Sequence, residues 1–145
     1  MKTFRTSNSI VTICTTAATI IALAGFSGVA WGDEIKLMLS GDHEVPAVKT
    51  AAAGGGTLMV NADMSVSGGV TTTGVAGTMA HIHQGAAGAN GPVIIPLTKS
   101  GDNGWVVPAN AKLNEAQYKA YKAGELYINV HSAEHKGGEI RGQLK

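Results

Sequence analysis

Short segments that alternate apolar and polar residues follow one another along this chain from about residue 33 onward. Ile35, Leu37 and Leu39, for example, alternate with Lys36 and Met38, and a two-residue period places the apolar side chains on one face of a strand. Glycine-rich stretches punctuate these segments, and the chain holds 20 glycines in 145 residues. Short, regularly spaced strands separated by turn residues predict an antiparallel β-sandwich.

A single helix is expected late in the chain. Asn114 can cap its start, Gln117 follows three residues later as in a capping box, and Gly124 can end it. The predicted fold class is therefore all-β, an antiparallel sandwich with one short helix near residues 114–123. Strands are predicted over 35–40, 55–60, 64–73, 77–83, 92–97, 126–131 and 139–144, with a turn at 61–63 and a glycine-rich connection over 84–91.

The beginning of the chain has the three-part layout of a secretory signal peptide. Lys2 and Arg5 precede an apolar run over 10–24, and small residues follow. A retained membrane anchor is the alternative, but the apolar run is short for crossing a bilayer. We expect cleavage after Ala30 or Gly32, so that 1–32 is a signal peptide and 33–145 is a secreted or periplasmic domain without a membrane span.

Removal of this segment changes the composition in two useful ways. It removes the one cysteine, Cys14, so the mature domain is expected to fold without a disulfide. It leaves ten acidic residues against nine lysines and arginines, a nearly balanced charge. Because no basic stripe results, nucleic acid is not an expected partner.

The segment Met79-Ala-His81-Ile-His83 carries the strongest functional signal. On a strand, Met79, His81 and His83 fall on one face. Neutral imidazole nitrogen and thioether sulfur are natural ligands of copper and zinc. This spacing therefore predicts a transition-metal site, with copper or zinc as the bound ion.

Five segments in one order resemble a known family. They are Glu44-Val-Pro46, Ala80-His-Ile-His-Gln-Gly85, Gly91-Pro-Val93, Gly124-Glu-Leu-Tyr-Ile-Asn-Val-His-Ser132 and Gly138-Glu-Ile-Arg-Gly-Gln-Leu144. They span nearly all of the mature chain and are similar to the chordin-type CHRD domain. The resemblance implies an immunoglobulin-like β-sandwich that occurs as a secreted module, in animals within a regulator of growth factors and in bacteria mostly in exported proteins. It implies no established reaction, since function resides in the site rather than the fold.

All five histidines are candidate ligands. His81 and His83 share a face, and His131 belongs to a later strand that can lie beside them. His43 and His135, which depart from the family pattern by adding imidazole, can close over these three from loops.

The accompanying ligands decide which metal is expected. A thioether from Met79 or Met38 would favour Cu(I), whereas imidazoles together with Glu44 or Glu134 would suit Zn(II) or Cu(II). The residues leave both sets open.

A metal-free alternative assigns the same histidines to a structural polar layer. In it, His81, His83 and His131 exchange hydrogen bonds with Glu44, Asn129, Glu139 and Arg141, because buried polar groups need partners. Arg141 is the only arginine after Arg5. We expect its guanidinium to form a bidentate pair with Glu44 or Glu139.

Three functional hypotheses follow. The first is an exported, non-enzymatic binding protein with a copper or zinc site. The second is a metal-free adhesion or interaction module with an extracellular protein partner. The third is a dismutase-like enzyme, since a His-x-His strand, a later histidine and a C-terminal arginine resemble copper-zinc superoxide dismutase in arrangement. That enzyme's further zinc ligands and disulfide have no counterpart after residue 32.

Overall fold

The computed structural model describes residues 32–145. The predicted signal peptide lies, except for Gly32, outside the described residues. The described part contains nine strands and one α-helix in this order: β1 (Asp33–Ser40), β2 (Ala53–Val60), β3 (Val66–Thr73), β4 (Gly77–Gln84), β5 (Val93–Pro96), β6 (Thr98–Ser100), β7 (Gly104–Val106), α1 (Glu115–Lys122), β8 (Leu126–Ser132) and β9 (Ile140–Leu144), with a 3₁₀ turn at Gly41–His43.

The strands form one strongly folded antiparallel sheet in the order β5-β4-β8-β9-β1-β2-β3-β7-β6. The sheet nearly closes on itself because the segment after β5 runs from one edge towards the other. Leu97 N–H donates to Ala80 O at 2.9 Å, and the Lys99 ammonium donates to Gly77 O at 3.1 Å. The predicted all-β antiparallel sandwich with one short helix is confirmed; β6 and β7 were not predicted, since three residues are too few to display a period.

Alternation along the strands produces a core on one side of the sheet. In β1, Ile35, Leu37 and Leu39 are buried, whereas Met38 is 81% exposed. Burying one such aliphatic side chain stabilises the fold by about 1.5–3 kcal/mol. Trp105 from the unpredicted β7 is also buried in this core.

The helix begins where the sequence indicates. The Asn114 side chain accepts from Gln117 N–H at 2.8 Å, and the Gln117 side chain accepts from Asn114 N–H at 2.9 Å, which is the predicted capping box. Gly124 follows the helix with φ of +73°, a conformation that favours glycine. No helix within 32–145 is long and apolar enough to cross a membrane.

Strand β8 is buried on both faces. Ile128 and Val130 belong to the aliphatic core, whereas Tyr127, Asn129 and His131 point to the opposite, outer face because side chains alternate. Polar residues of the neighbouring strands share this outer face. Its cross-strand pairs are Met79 with His131, His81 with Asn129, His83 with Tyr127, Asn129 with Arg141 and Tyr127 with Gln143.

Candidate metal centre

Three histidines of two adjacent strands converge on the outer face of the sheet. His81 and His83 belong to β4 and His131 to β8. One ring nitrogen from each lies within 4.8 Å of the other two. Three imidazoles at this spacing are able to hold a metal ion. We refer to His81, His83 and His131 as the triad.

Backbone carbonyls fix the tautomers of two triad residues. His83 Nδ1 lies 2.9 Å from Gly91 O, and His131 Nδ1 lies 2.9 Å from Lys136 O. A carbonyl oxygen only accepts, so each Nδ1 carries the hydrogen and each neutral ring presents an Nε2 lone pair. Metal-bound histidines are oriented by the same kind of outer hydrogen bond.

His81 completes the triad by a direct contact. Its Nδ1 lies 3.0 Å from His131 Nε2, so without metal His81 donates to the lone pair of His131. Two nitrogens bound to one tetrahedral zinc ion lie roughly 3.4 Å apart, given bond lengths of about 2.0–2.1 Å. A small movement of the His81 and His131 rings would therefore let an ion replace the hydrogen between the two nitrogens.

The site favours neutral imidazole. Burial lowers the pKa of His81, and the neighbouring triad rings lower it further. Burial also lowers the pKa of His83, although the hydrogen bond to Gly91 O partly opposes this effect. Neutral rings are the form that binds metal.

Three buried polar atoms near the triad have no hydrogen-bond partner among residues 32–145. They are His83 Nε2, Asn129 Oδ1 and Glu44 Oε1. Burial raises the pKa of Glu44, and the Asn129 amide and the Arg141 charge partly oppose the increase. Unsatisfied buried acceptors are uncommon in folded proteins, so His83 Nε2 and Asn129 Oδ1 indicate a place for a donor or a cation.

Arg141 binds different partners from those expected. It is 1% exposed, and its guanidinium donates to Ala86 O at 2.9 Å and Ala89 O at 3.0 Å. The ion pairs found within 32–145 are Lys112–Asp63 and Lys122–Asp33, so the expected bidentate pair of Arg141 with Glu44 or Glu139 is wrong. The glycine-rich loop turns its carbonyls towards the sheet, and the guanidinium satisfies them.

The other residues of the predicted polar layer occupy separate positions. Glu139 accepts from the Thr50 hydroxyl at 2.8 Å. Asn129 is 1% exposed and donates through Nδ2 to Gly137 O at 3.4 Å. Glu44 is buried beside Asn129, since a side chain on Gly138 would collide with both.

The supplementary ligand candidates occupy different positions in the fold. Met79 is 50% exposed and pairs with His131 across the strands. His43 is exposed in the 3₁₀ turn, with Nδ1 3.2 Å from Arg141 O, and it lines a separate surface cavity of 490 Å³ together with Met38. His135 and Glu134 belong to the loop between β8 and β9. Their roles as ligands stay predictions.

Sequence reasoning missed the groups that orient the triad. The carbonyls of Gly91 and Lys136 leave no side-chain signal. The Tyr127 ring stacks on His83 with centroids 4.8 Å apart and an angle of 6° between the planes, a contact that the sequence did not predict. Its position opposite His83 follows from strand register, which the sequence does not fix.

A comparison with protein-family models finds a match, described as the CHRD domain, over residues 35–144. The chain belongs to the CHRD domain family. The match extends from β1 to the end of β9 and therefore includes the whole triad. Comparisons of this CHRD domain with curated proteins and with solved structures find no significant match.

Proposed function

We propose that this CHRD domain is an exported metal-binding module that holds copper or zinc at His81, His83 and His131 and acts by binding rather than turnover. One observation carries the proposal. His83 and His131 give their Nδ1 hydrogens to backbone carbonyls, so both present Nε2 lone pairs at the triad. His83 Nε2 is buried without a partner among the described residues.

Export is supported by the N-terminal pattern of two basic residues, an apolar run and small residues. It has its own test. We expect that the full chain produced in a bacterial host with its own N-terminus appears outside the cytoplasm. Its intact mass should correspond to a chain beginning at Trp31 or Asp33. Full-length protein retained in the cytoplasm would contradict the proposal of export.

Binding is favoured over dismutase activity by the position of Arg141. An arginine that attracts an anion must present its guanidinium to solvent. Arg141 is buried and donates to loop carbonyls, and such contacts support a bracing role.

The metal site is tested by titration of the mature domain, purified without a histidine tag and stripped with chelator. Zn(II), Cu(II) and Cu(I) are added separately, and elemental analysis gives the metal content. We expect one ion per chain with a dissociation constant below about 1 µM. His83→Ala and His131→Ala should each lose this binding. His43→Ala tests the supplementary role of that histidine and should keep the binding, because His43 is exposed in the 3₁₀ turn and lies outside the triad.

Structural histidines would give a different result. If wild-type protein binds no metal tightly while His83→Ala or His131→Ala unfolds, the triad braces the sheet and the proposal fails. Circular dichroism and thermal unfolding of each variant separate loss of fold from loss of ligand. Where the alanine variant does not fold, His131→Gln keeps a polar side chain at the position and is titrated instead.

A further inference from the structure

Asn129 lies at the centre of the outer face of the sheet. It pairs with His81 of β4 on one side and with Arg141 of β9 on the other. Its side chain is buried, at 1% exposure. An amide in this position has to place both its oxygen and its nitrogen within the protein, so its orientation can be deduced from its neighbours.

Two acceptors fix the direction of the amide nitrogen. Nδ2 points towards Gly137 O, and the Glu44 carboxylate lies on the same side, where Gly138 leaves room for both groups. Rotating the amide by half a turn would put Oδ1 against a carbonyl and a carboxylate, neither of which donates a hydrogen bond. The oxygen therefore points away from Glu44.

The oxygen has no donor on its own side. Asn129 Oδ1 and His83 Nε2 are both buried, and neither has a hydrogen-bond partner within 32–145. The Asn129 amide is nevertheless close enough to stabilise a charged His83 ring. Leaving a buried acceptor unsatisfied costs about 1–3 kcal/mol. Two such atoms beside the triad are explained together if a cation binds both.

We infer that Asn129 Oδ1 is the fourth ligand of the triad, an assignment that rests on the metal-binding function proposed above, and that the resulting three-nitrogen, one-oxygen site selects Zn(II) or Cu(II) over Cu(I). A carboxamide oxygen is a hard ligand that suits divalent ions, whereas Cu(I) prefers sulfur and imidazole. Glu44 lies on the nitrogen side of the same amide and contributes negative charge behind the ligand, as outer carboxylates do in metal sites.

Met79 is the competing fourth ligand. It lies on the same outer face opposite His131. Half of Met79 is exposed, however, so its thioether is not a buried acceptor that requires a partner. Asn129 is enclosed and has an oxygen without a donor. Asn129 is therefore assigned as the ligand, and Met79 is assigned to the exposed edge of the site.

The test compares Zn(II) and Cu(I) affinities, measured by competition with chelators, in wild type and Asn129→Leu. Leucine keeps a similar volume and removes the oxygen. We expect Zn(II) affinity to fall by about tenfold or more, while Cu(I) affinity stays within about threefold because the three imidazoles remain. Met79→Leu is the matched control and should leave Zn(II) affinity unchanged.

Asn129→Asp is the second variant, in case leucine prevents folding. It keeps an oxygen towards the triad but places another against Gly137 O and Glu44. The metal-free variant should therefore melt below wild type, and Zn(II) should raise its melting temperature by more than it raises that of wild type. The Co(II) form should show the absorption of a four-coordinate ion in wild type and Asn129→Asp.

The possible failures are distinguishable. Wild-type protein that binds no metal overturns the function proposed above. Wild-type protein that binds Zn(II) tightly, with Asn129→Leu equally tight, leaves that function intact and overturns the assignment of Asn129. A selective loss of Cu(I) affinity in Met79→Leu, with Zn(II) weaker than Cu(I), also overturns it and identifies a sulfur-containing Cu(I) site.

Discussion

The Arg141 guanidinium carbon lies 3.4 Å from the centre of the Tyr127 ring. His83, on the strand at the other side of β8, stacks on the same ring. The Tyr127 hydroxyl also accepts from Gly91 N–H at 3.3 Å. Since Gly91 O holds the His83 ring, Arg141 and Tyr127 support the triad through both the ring and the loop.

Arg141→Lys should destabilise the domain by about 3 kcal/mol, because a buried charged donor loses several hydrogen bonds and lysine lacks the planar fork. Arg141 donates to Ala86 O, Ala89 O and the Gln143 side chain. Urea unfolding followed by tryptophan fluorescence measures the change. Hydrogen exchange should accelerate in the amides of 86–91. Lys49→Met is the control at an exposed position and should change the free energy of unfolding by less than about 0.5 kcal/mol. If Arg141→Lys had no larger effect than Lys49→Met, Arg141 would not brace the loop.

Two substitutions of Tyr127 separate the contribution of its ring to stability from that of its hydroxyl. Tyr127→Phe keeps the stacking surface and loses only the acceptor for Gly91 N–H, which should cost about 1 kcal/mol. Tyr127→Leu removes the contacts with His83 and Arg141 and should cost about 3 kcal/mol or more. Thermal unfolding without metal ranks the variants. If Tyr127→Phe and Tyr127→Leu lower the stability equally, the stacked ring contributes little to it.

Gly138 tests how closely Glu44 and Asn129 are packed. Its φ is +130°, and a Cβ would overlap Glu44 Oε1 and Asn129 Nδ2. Gly138→Ala should therefore destabilise the domain by about 2 kcal/mol and weaken metal binding. Gly137→Ala is the matched control, because a Cβ there meets no atom within 4 Å. Equal unfolding midpoints for the two variants would show that this packing is loose.

Local patterns predicted much of this arrangement. Alternation placed His81 and His83 on one face of β4, and the spacing of Asn114 and Gln117 located the capping box, because both depend on residues close in sequence. His131 was expected on a neighbouring strand, and β8 does pair with β4. The first two features follow from local sequence, whereas the pairing of β8 with β4 is set by the tertiary fold.

The contacts that depend on loop backbone could not be predicted in this way. The carbonyls that bind Arg141 take their direction from backbone angles in 85–91, where Gly88 has φ of +80°. Arginine and carboxylates attract each other in any sequence, so Glu44 and Glu139 were reasonable partners. The guanidinium donates instead to Ala86 O and Ala89 O of the loop.

The lowered pKa values of His81 and His83 predict a loss of stability in mild acid. Both values lie below the ordinary 6.5 because burial disfavours the charged ring. Well above pH 6.5 neither His81 nor His83 is protonated in either state, and their full contribution to stability is present. As the pH falls below that point the unfolded chain binds protons first, so the free energy of unfolding decreases until the pH has passed through the folded pKa.

Glu44 acts in the opposite direction. Burial raises its pKa above 4.5, so the folded state takes up this proton first and gains stability as the pH falls. Glu44→Gln should therefore make the loss of stability on acidification larger, whereas His83→Gln should make the loss below about pH 6.5 smaller. Urea unfolding in the presence of chelator measures each slope. Identical slopes for wild type and His83→Gln would mean that His83 has the same pKa in both states, and burial would then not keep His83 neutral.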